Sequence, residues 1–212
     1  MAKPKALDLF CCAGGAARGL QQAGFHVTGV DIRPQPRYAG NCFIEADAMA
    51  IDWTGYDLIW ASPPCQRYSN LTPTAHKSGH PDLLPVVLDR LRAQITPFIV
   101  ENVEGTQVLM RSPLMLCGSM FGLGLRRHRW FELGNTSAFF LLPSCNHSMP
   151  PVLISGTTRR LINGKRYEYT KAEKTAAIGI DWMLTTELDE AIPPAYARFL
   201  AEQMRAAVEA RL

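Results

Sequence analysis

Residues 5–15 of the chain read Lys5-Ala-Leu-Asp-Leu-Phe-Cys-Cys-Ala-Gly-Gly15, an apolar run that stops at a turn of small residues. The run from Lys5 to Phe10 predicts a short buried strand, and the turn from Cys12 to Gly15 predicts the start of a helix that ends near Gly24. A second strand is predicted from Phe25 to Asp31. A strand, a small-residue turn, a helix and another strand in succession indicate an α/β unit.

The alternation continues along the next seventy residues. A third strand is predicted to end at Ile44–Ala46, and a fourth is predicted over Asp57–Ala61. The prolines of Ser62-Pro-Pro64 end the fourth strand sharply. Apolar residues at helical spacing predict a helix from Asp82 to Gln94, and Phe98–Val103 follows as another strand. Right-handed crossovers between such strands predict a mostly parallel sheet with helices on both faces.

The pattern changes after Leu133. Residues 134–151 look irregular, and the pair Asn163-Gly164 lies between residues of strand character, which is a strong hairpin signal. A closing helix is predicted to begin after Pro193-Pro194 and to run beyond Met204.

Composition bounds the class of protein. The chain has 212 residues, of which 47% are hydrophobic and 19% charged, as expected for one globular domain with at most a small appendage. The net charge of +3 is too small to indicate a nucleic-acid partner by itself. No apolar stretch is long enough to span a bilayer and no secretion signal opens the chain, so we expect a soluble, cytoplasmic protein.

The six cysteines are dispersed, apart from the adjacent Cys11 and Cys12, and are expected to be reduced thiols. Cys145 and His147 form a Cys-x-His pair that could supply two zinc ligands. A structural zinc site usually needs four ligands at defined spacing, and the sequence has no second pair nearby. The sequence therefore favours a loop cysteine and an exposed histidine, with no metal.

Chemistry-bearing residues follow several predicted strands. In parallel α/β sheets, ligands bind beyond the carboxyl ends of the strands, so these residues are expected in one cleft. The glycine turn would let backbone approach a ligand closely, Asp31 could accept hydrogen bonds from ribose hydroxyls, and Asp47 could accept one from an adenine amine. Together they suggest a cofactor that contains adenosine.

A cysteine and a glutamate are predicted in the same cleft. Two prolines fix the backbone before Cys65 in Ser62-Pro-Pro-Cys-Gln66, and Glu101 ends an apolar strand where partial desolvation would raise its pKa. Arg127 and Arg129 would alternate on one face of a strand and could steady a carboxylate. The alternative for this last segment is a solvated basic edge strand.

In this order the segments resemble the DNA cytosine-5 methyltransferase family, in the compact form of phage and bacterial enzymes. The match consists of Leu7–Gly15, Ser62–Ser69, Glu101–Val103, Arg127–Arg129 and Ile192–Pro194. The resemblance implies a Rossmann-like, S-adenosylmethionine-dependent methyltransferase fold with a very small target-recognition appendage. It implies a catalytic core over 1–133, a reduced recognition segment over 134–169, and a C-terminal part over 170–212 that returns to the core.

The family's mechanism assigns roles to single residues. Cys65 would attack C6 of cytosine, Glu101 would hold and protonate ring N3, and Arg127 and Arg129 would position the base and the glutamate. S-adenosylmethionine would be held by a set of residues at the strand ends: Phe10, Ala13, Gly14, Gly15, Asp31, Ile32, Asp47, Ala48 and Pro63.

The resemblance also implies double-stranded DNA as partner and a cytosine rotated out of the duplex. The residues expected to contact DNA are Gln66, Arg67, Ser69, Arg159, Arg160, Lys165 and Arg166. The segment from Arg67 to Pro81 is a candidate for a loop that closes behind the flipped base. A recognition segment as small as 134–169 predicts a very short target site. We also expect the protein to be a monomer.

The chain departs from the family pattern at three positions. Cys12 and Leu125 stand where the family usually has glycine and glutamine, and Glu190 stands where asparagine is common. The departures at Cys12 and Leu125 leave open a non-catalytic DNA-binding protein of the same fold. Two further alternatives are a cytosine-5 methyltransferase acting on transfer RNA, since one branch of the family does so with the same catalytic residues, and transfer of a group other than methyl. A role in restriction-modification or in protecting phage DNA fits the compact type.

Overall fold

A computed structural model describes the backbone of residues 2–154, 160–162 and 165–209, and the side chains of 2–154 and 167–209. One sheet has seven strands: β1 (Lys5–Leu9), β2 (His26–Asp31), β3 (Cys42–Glu45), β4 (Leu58–Ala61), β5 (Phe98–Asn102), β6 (Leu114–Leu116) and β7 (Arg129–Gly134). The helices are α1 (Gly15–Gln22), α2 (Thr74–Lys77), α3 (Leu84–Arg92), α4 (Lys171–Ile178), α5 (Thr185–Leu188) and α6 (Pro194–Glu209).

The strand order is β3-β2-β1-β4-β5-β7-β6. Within this sheet β7 runs antiparallel to both of its neighbours, β5 and β6, whereas β1 to β5 pair in parallel. The chain changes direction across the sheet between β1 and β4, which in α/β sheets opens a crevice for a ligand. The predicted mostly parallel α/β sheet is confirmed.

Alternating side chains on the strands build two cores. Ala6, Trp60 and Ile99 pack with α1 and α6 on one face of the sheet. Leu7, Ile59 and Val100 point to the other face, where they pack with α3. Each of these residues is at most 1% exposed. This period of two places helices on both faces, as the sequence predicted.

The closing helix α6 lies directly against α1 because α1 carries glycines on the facing side. A Cβ added to Gly15 would lie 2.3 Å from the carbonyl oxygen of Ile192, and one added to Gly19 would lie 2.2 Å from that of Pro194. Both distances are far below contact distance. Gly15 therefore allows the segment before α6 to reach the turn that follows β1.

The region from Leu114 onward differs from the prediction in two respects. The strand expected to carry both Arg127 and Arg129 begins at Arg129, so the placement of the two arginines on one strand is wrong. Arg127 lies before the strand, and its guanidinium donates to the carbonyl oxygens of Leu188 and Ala191. The short β6, which the sequence did not indicate, covers the outer edge of β7.

The predicted hairpin is present as two antiparallel strands, β8 (Arg160–Ile162) and β9 (Lys165–Tyr167), in which Leu161 pairs with Arg166. Arg159 and the Asn163-Gly164 turn lie outside the described residues. The side chains of Arg160, Lys165 and Arg166 lie outside them as well. Among the helices that the structure describes, none has the length and apolar character needed to cross a membrane.

The turn after β1 uses left-handed backbone at alternate positions. Phe10, Cys12 and Gly14 have φ angles of 60°, 44° and 81°. Glycine adopts this region freely, whereas a residue with a Cβ is strained there by about 1–2 kcal/mol. The family's usual glycine at position 12 therefore has a physical reason, and Cys12 keeps the turn at a cost.

We expect Cys12→Gly to be more stable than Cys12→Ala by about 0.5–1 kcal/mol, because alanine retains the left-handed strain and glycine removes it. Urea denaturation of the two variants measures this difference, and the comparison cancels the loss of the cysteine thiol. An alanine variant as stable as the glycine variant would show that the turn carries no strain at this position.

Candidate active site

The carboxyl ends of β1, β2, β4 and β5 border one cavity of about 1200 Å³. Its walls include Phe10, Asp31, Cys65, Glu101 and Arg129, which come from four separate strand ends and from the first residue of β7. The residues that the sequence placed in one cleft are thus brought together. The cavity divides into a side near the β1 turn and a side near Cys65.

Most of the residues predicted to hold a cofactor line the first side. They are Phe10, Gly15, Asp31, Ile32, Asp47, Ala48 and Pro63. Ala13 and Gly14 do not line the cavity. The Ala13 carbonyl oxygen accepts a hydrogen bond of 2.9 Å from Nε1 of Trp182, and Gly14 packs against Tyr38 and the backbone of Ala39. Ala13 and Gly14 therefore support the turn on the side that faces away from the cavity.

Asp31 holds this turn. Its Oδ2 accepts a hydrogen bond of 3.0 Å from the Cys12 amide, and its Oδ1 accepts one of 3.0 Å from the Arg33 amide. Each carboxylate oxygen can accept one more hydrogen bond. Asp31 is thus fixed by the backbone and keeps the capacity to bind a pair of hydroxyl groups in the cavity.

Asp8 is a cavity residue that the sequence reasoning missed. It is 1% exposed, and within the described part of the chain neither of its carboxylate oxygens has a hydrogen bond of normal geometry. Burial raises the pKa of Asp8 well above its ordinary value, and the neighbouring Asp31 carboxylate also raises it, whereas the nearby backbone amide of Ala17 lowers it. A lone carboxyl inside an apolar strand was the signal that could have identified it.

We expect the raised pKa of Asp8 to make stability pH-dependent. The folded state binds this proton more tightly than the unfolded state, so the free energy of unfolding falls as pH rises above the unfolded pKa of about 4, until the folded pKa is passed. Asp8→Asn removes this contribution. Denaturant unfolding at about pH 5 and pH 7 should show the wild type losing stability relative to the variant, by up to ~1.4 kcal/mol per pH unit.

The matched control for Asp8→Asn is Asp89→Asn, which changes an exposed residue of α3. Its unfolding free energy should run parallel to that of the wild type. The comparison uses the change with pH, so a constant penalty from a buried asparagine does not affect it. Parallel curves for Asp8→Asn would contradict a buried, protonated Asp8.

On the second side of the cavity, the loop that carries Cys65 is fixed at both ends. Nδ2 of Asn102 donates to the Pro63 carbonyl oxygen at 3.0 Å, which ties the loop to the end of β5. The amides of Tyr68 and Ser69 donate to the Cys65 carbonyl oxygen, each at 2.9 Å. Asn102 is a positioning residue that the sequence showed only as part of a strand end.

Glu101 is 5% exposed and paired with an arginine. Nε of Arg129 lies 2.9 Å from its Oε1. Burial raises the pKa of Glu101 above its ordinary value, although Arg129, a hydrogen bond with Ser62 and the charge of Arg127 act in the opposite direction. The carboxyl is therefore both oriented and more easily protonated than a surface glutamate.

The Cys65 thiol lies in the same electrostatic environment. Burial raises its pKa, the Glu101 carboxylate raises it further, and Arg129 opposes both effects. Cys65 is thus mainly a neutral thiol at neutral pH. Arg129 influences both groups, so it connects the acid and the thiol in one site.

Arg127 and Arg129 have different partners. Besides its bonds to Leu188 and Ala191, Arg127 accepts a hydrogen bond of 2.6 Å at its backbone oxygen from the Tyr196 hydroxyl. Burial lowers the pKa of Arg127 to about 10, and the charge of Arg129 adds to this effect. Arg127 borders the cavity, but its hydrogen bonds join the start of β7 to the segment before α6.

The predicted DNA-contacting residues near Cys65 also separate into two groups. Gln66 and Ser69 line the cavity, whereas Arg67 does not, and its Nε lies 3.2 Å from Oδ2 of Asp82. The Tyr68 hydroxyl donates to the same carboxylate. Asp82 therefore joins the two ends of the segment from Arg67 to Pro81, which contains α2.

The departures from the family pattern lie at the cavity wall. Leu125 is 3% exposed and packs against Ile154 and Ala177, so an apolar residue fits there. Glu190 also lines the cavity. Each departure changes a side chain in the cavity wall but leaves the cavity open.

No protein-family model matches the chain, and no curated protein matches its sequence. Solved structures do match. The Entamoeba histolytica methyltransferase EhMeth has a TM-score of 0.62 and 12% sequence identity, over 100% of this chain and 99% of that chain. The Dnmt2 methyltransferase of S. pombe has a TM-score of 0.60 and 12% identity, over 99% of each chain.

A third similar structure is a putative DNA modification methyltransferase encoded within an E. coli prophage. It has a TM-score of 0.52 and is 19% identical over 71% of this chain, which spans about half (53%) of that chain. At these identities the likenesses establish the fold. The predicted Rossmann-like methyltransferase fold is confirmed.

Proposed function

We propose that the chain is an S-adenosylmethionine-dependent DNA methyltransferase that modifies carbon 5 of cytosine. The observation that carries this proposal is the ion pair of the buried Glu101 with Arg129, which shares one cavity with the Cys65 thiol and with the turn after β1. A nucleophile and a carboxyl held for proton transfer are what addition to a pyrimidine ring requires.

The cofactor side of the cavity suits S-adenosylmethionine. Phe10, Ile32 and Ala48 offer apolar surface for an adenine ring, and Asp31 offers acceptors for the ribose hydroxyls. Asp8 adds a neutral carboxyl that could donate one hydrogen bond. When bound, the cofactor supplies an electrophilic methyl group, and the protein holds the cytosine ring in line with it.

The proposed reaction begins when Cys65 loses its proton and attacks C6 of the ring. Glu101 donates a proton to N3, so the electrons that the thiolate brings make C5 nucleophilic without leaving a charge on the ring. C5 takes the methyl group and then loses its proton to a base. The C6–S bond then breaks with its electrons returning to Cys65 as a thiolate, N3 gives its proton back to the Glu101 carboxylate, and the aromatic ring is restored.

The raised pKa values of Cys65 and Glu101 suit different steps. Glu101 holds a proton more readily than a surface carboxyl, which favours donation to N3. Cys65 is mainly protonated in the resting site, so its proton has to be removed before or during the attack on C6.

We assign the duplex as substrate because the prophage neighbour, at a TM-score of 0.52, is described as a DNA modification enzyme. Rotation of the cytosine into the cavity would cost a few kcal/mol. Gln66 and Ser69 line the cavity beside Cys65 and would contact the rotated nucleotide. Residues 134–169, between the core (1–133) and the returning part (170–212), would read a short target through Arg159, Arg160, Lys165 and Arg166.

We expect the purified protein to transfer label from methyl-labelled S-adenosylmethionine to cytosine in duplex DNA, and we expect Cys65→Ala to abolish the transfer. Cys42→Ser, at an exposed cysteine of β3, is the matched control and should keep full activity. Bisulfite sequencing of the same DNA should show a short target site.

The same assay separates the alternatives. Label in transfer RNA with none in DNA would show that the substrate is RNA and not DNA. Binding of DNA and cofactor without label in any nucleic acid would indicate a non-catalytic protein, and mass spectrometry of the product base would identify a group other than methyl.

We expect Glu101→Gln to lower kcat by about 10²–10⁴-fold, because glutamine can still hydrogen-bond but cannot give up a proton to N3. The matched control is Glu202→Gln, an exposed partner of Arg198 on α6. Single-turnover rates with saturating DNA measure the effect. A wild-type kcat in Glu101→Gln would show that Glu101 does not donate the proton to N3.

A further inference from the structure

Two cysteines and two histidines meet beside the outer edge of the sheet. Cys117, His128, Cys145 and His147 each place one ligand atom within 4.8 Å of those of the other three. Of the four, His128 alone borders the cavity described above. The cluster is thus a second concentration of reactive side chains, next to the active site but separate from Cys65 and Glu101.

Three of the four ligand-to-ligand contacts in the cluster have the distances of a tetrahedral zinc site. Zn–S bonds of about 2.3 Å and Zn–N bonds of about 2.0–2.1 Å put tetrahedral ligand atoms roughly 3.3–3.8 Å apart. The structure has 3.3 Å between Nε2 of His128 and His147, 3.3 Å between Cys117 Sγ and His147 Nε2, and 3.7 Å between Cys145 Sγ and His128 Nε2. The remaining recorded contact, from Cys145 Sγ to His147 Nε2, is shorter at 2.8 Å.

Strand pairing accounts for two of the four ligands. Leu116 pairs with Arg129 in the antiparallel ladder of β6 and β7, so the next residues outward, Cys117 and His128, face each other. The other two ligands come from the irregular segment after β7. This segment has no helix or strand from 135 to 151, yet it returns Cys145 and His147 to that position.

Hydrogen bonds around the cluster orient these groups. Ser119 Oγ donates to Cys117 Sγ at 3.3 Å and accepts from the Asn146 amide at 3.1 Å. Arg126 donates to the backbone oxygens of His147 and Met149, the latter at 2.8 Å. Such outer contacts to ligands and to their backbone are typical of metal sites.

We propose that Cys117, His128, Cys145 and His147 bind one Zn²⁺ ion as a structural site. Four protein ligands of the Cys₂His₂ type leave no open coordination position, so the ion would stabilise structure rather than react. Binding releases the two thiol protons to solvent, and the two thiolates neutralise the ion. This proposal differs from the sequence-based expectation of a loop cysteine and an exposed histidine without a metal, because that expectation considered Cys145 and His147 alone.

The ion would attach the segment 135–151 to the sheet beside Arg127 and Arg129. His128 stands between these arginines, so fixing its ring would also hold the start of β7, where Arg129 meets Glu101. The proposal does not depend on the reaction that the cavity performs.

The test is the zinc content of the full-length protein, purified without chelators and freed of any histidine tag, measured by mass spectrometry of the metal. We expect about one zinc ion per chain in the wild type and in Cys42→Ser, and a loss of most of it in Cys145→Ser. Cys42 is an exposed cysteine whose Sγ lies 3.6 Å from a single histidine, His26, and so forms a control of similar chemistry without four ligands.

A second measurement keeps the test decisive if Cys145→Ser folds poorly or if zinc is lost in purification. Titration of metal-free wild type with Co²⁺ alone should give the strong visible bands of tetrahedral sulfur and nitrogen coordination and a sulfur-to-cobalt charge-transfer band. Absence of both zinc and these bands would overturn the proposal. Equal zinc in Cys145→Ser, or a Cys117–Cys145 disulfide in place of the ion, would overturn it as well.

Discussion

The insertion of β7 between β5 and β6 is the constraint on which both sites depend. Its antiparallel pairing with β5 sets Trp130 opposite Asn102, and this register brings Arg129 to the carboxyl of Glu101. Its pairing with β6 sets Arg129 opposite Leu116, which brings His128 beside Cys117. A shift of one residue in β7 would turn Arg129 away from the cavity and His128 away from the cysteines, because alternate side chains point to opposite faces.

Burial controls the chemistry of the cavity. Glu101, Cys65 and Asp8 all have pKa values raised chiefly by loss of solvent, so the resting site is less charged than its composition suggests. Arg129 counteracts this effect at Glu101 and Cys65. The result is an oriented Glu101 carboxyl and a neutral Cys65 thiol in one cavity. If both groups were ionised, their negative charges would repel each other.

The sequence predicted those parts of the fold that depend on local pattern. Each of these signals is formed by residues that are close together in the chain: the apolar run at β1, the glycine turn, the stripe on α3 and the prolines before α6. Each element forms close to where it was expected. The short β6 and the start of β7 were not predictable in this way, because three apolar residues carry little periodicity and register is set by distant partners. Arg127 was misplaced for the same reason, since its partners lie more than sixty positions away at Leu188 and Ala191. Cys145 and His147 looked like an incomplete pair because Cys117 and His128 lie elsewhere in the sequence, just after β6 and just before β7.

The contact between α1 and α6 has a consequence for the order in which the protein can be assembled during translation. Gly15 lies in the first turn of α1, and the carbonyl oxygen it accommodates belongs to Ile192, near the other end of the chain. The nascent N-terminal strands and helix therefore remain without their packing partner until residues 192–209 have left the ribosome. Contacts between segments so far apart in the chain form slowly, so the incomplete chain exposes the apolar face of α1. Exposed apolar surface of this kind favours aggregation and the binding of chaperones.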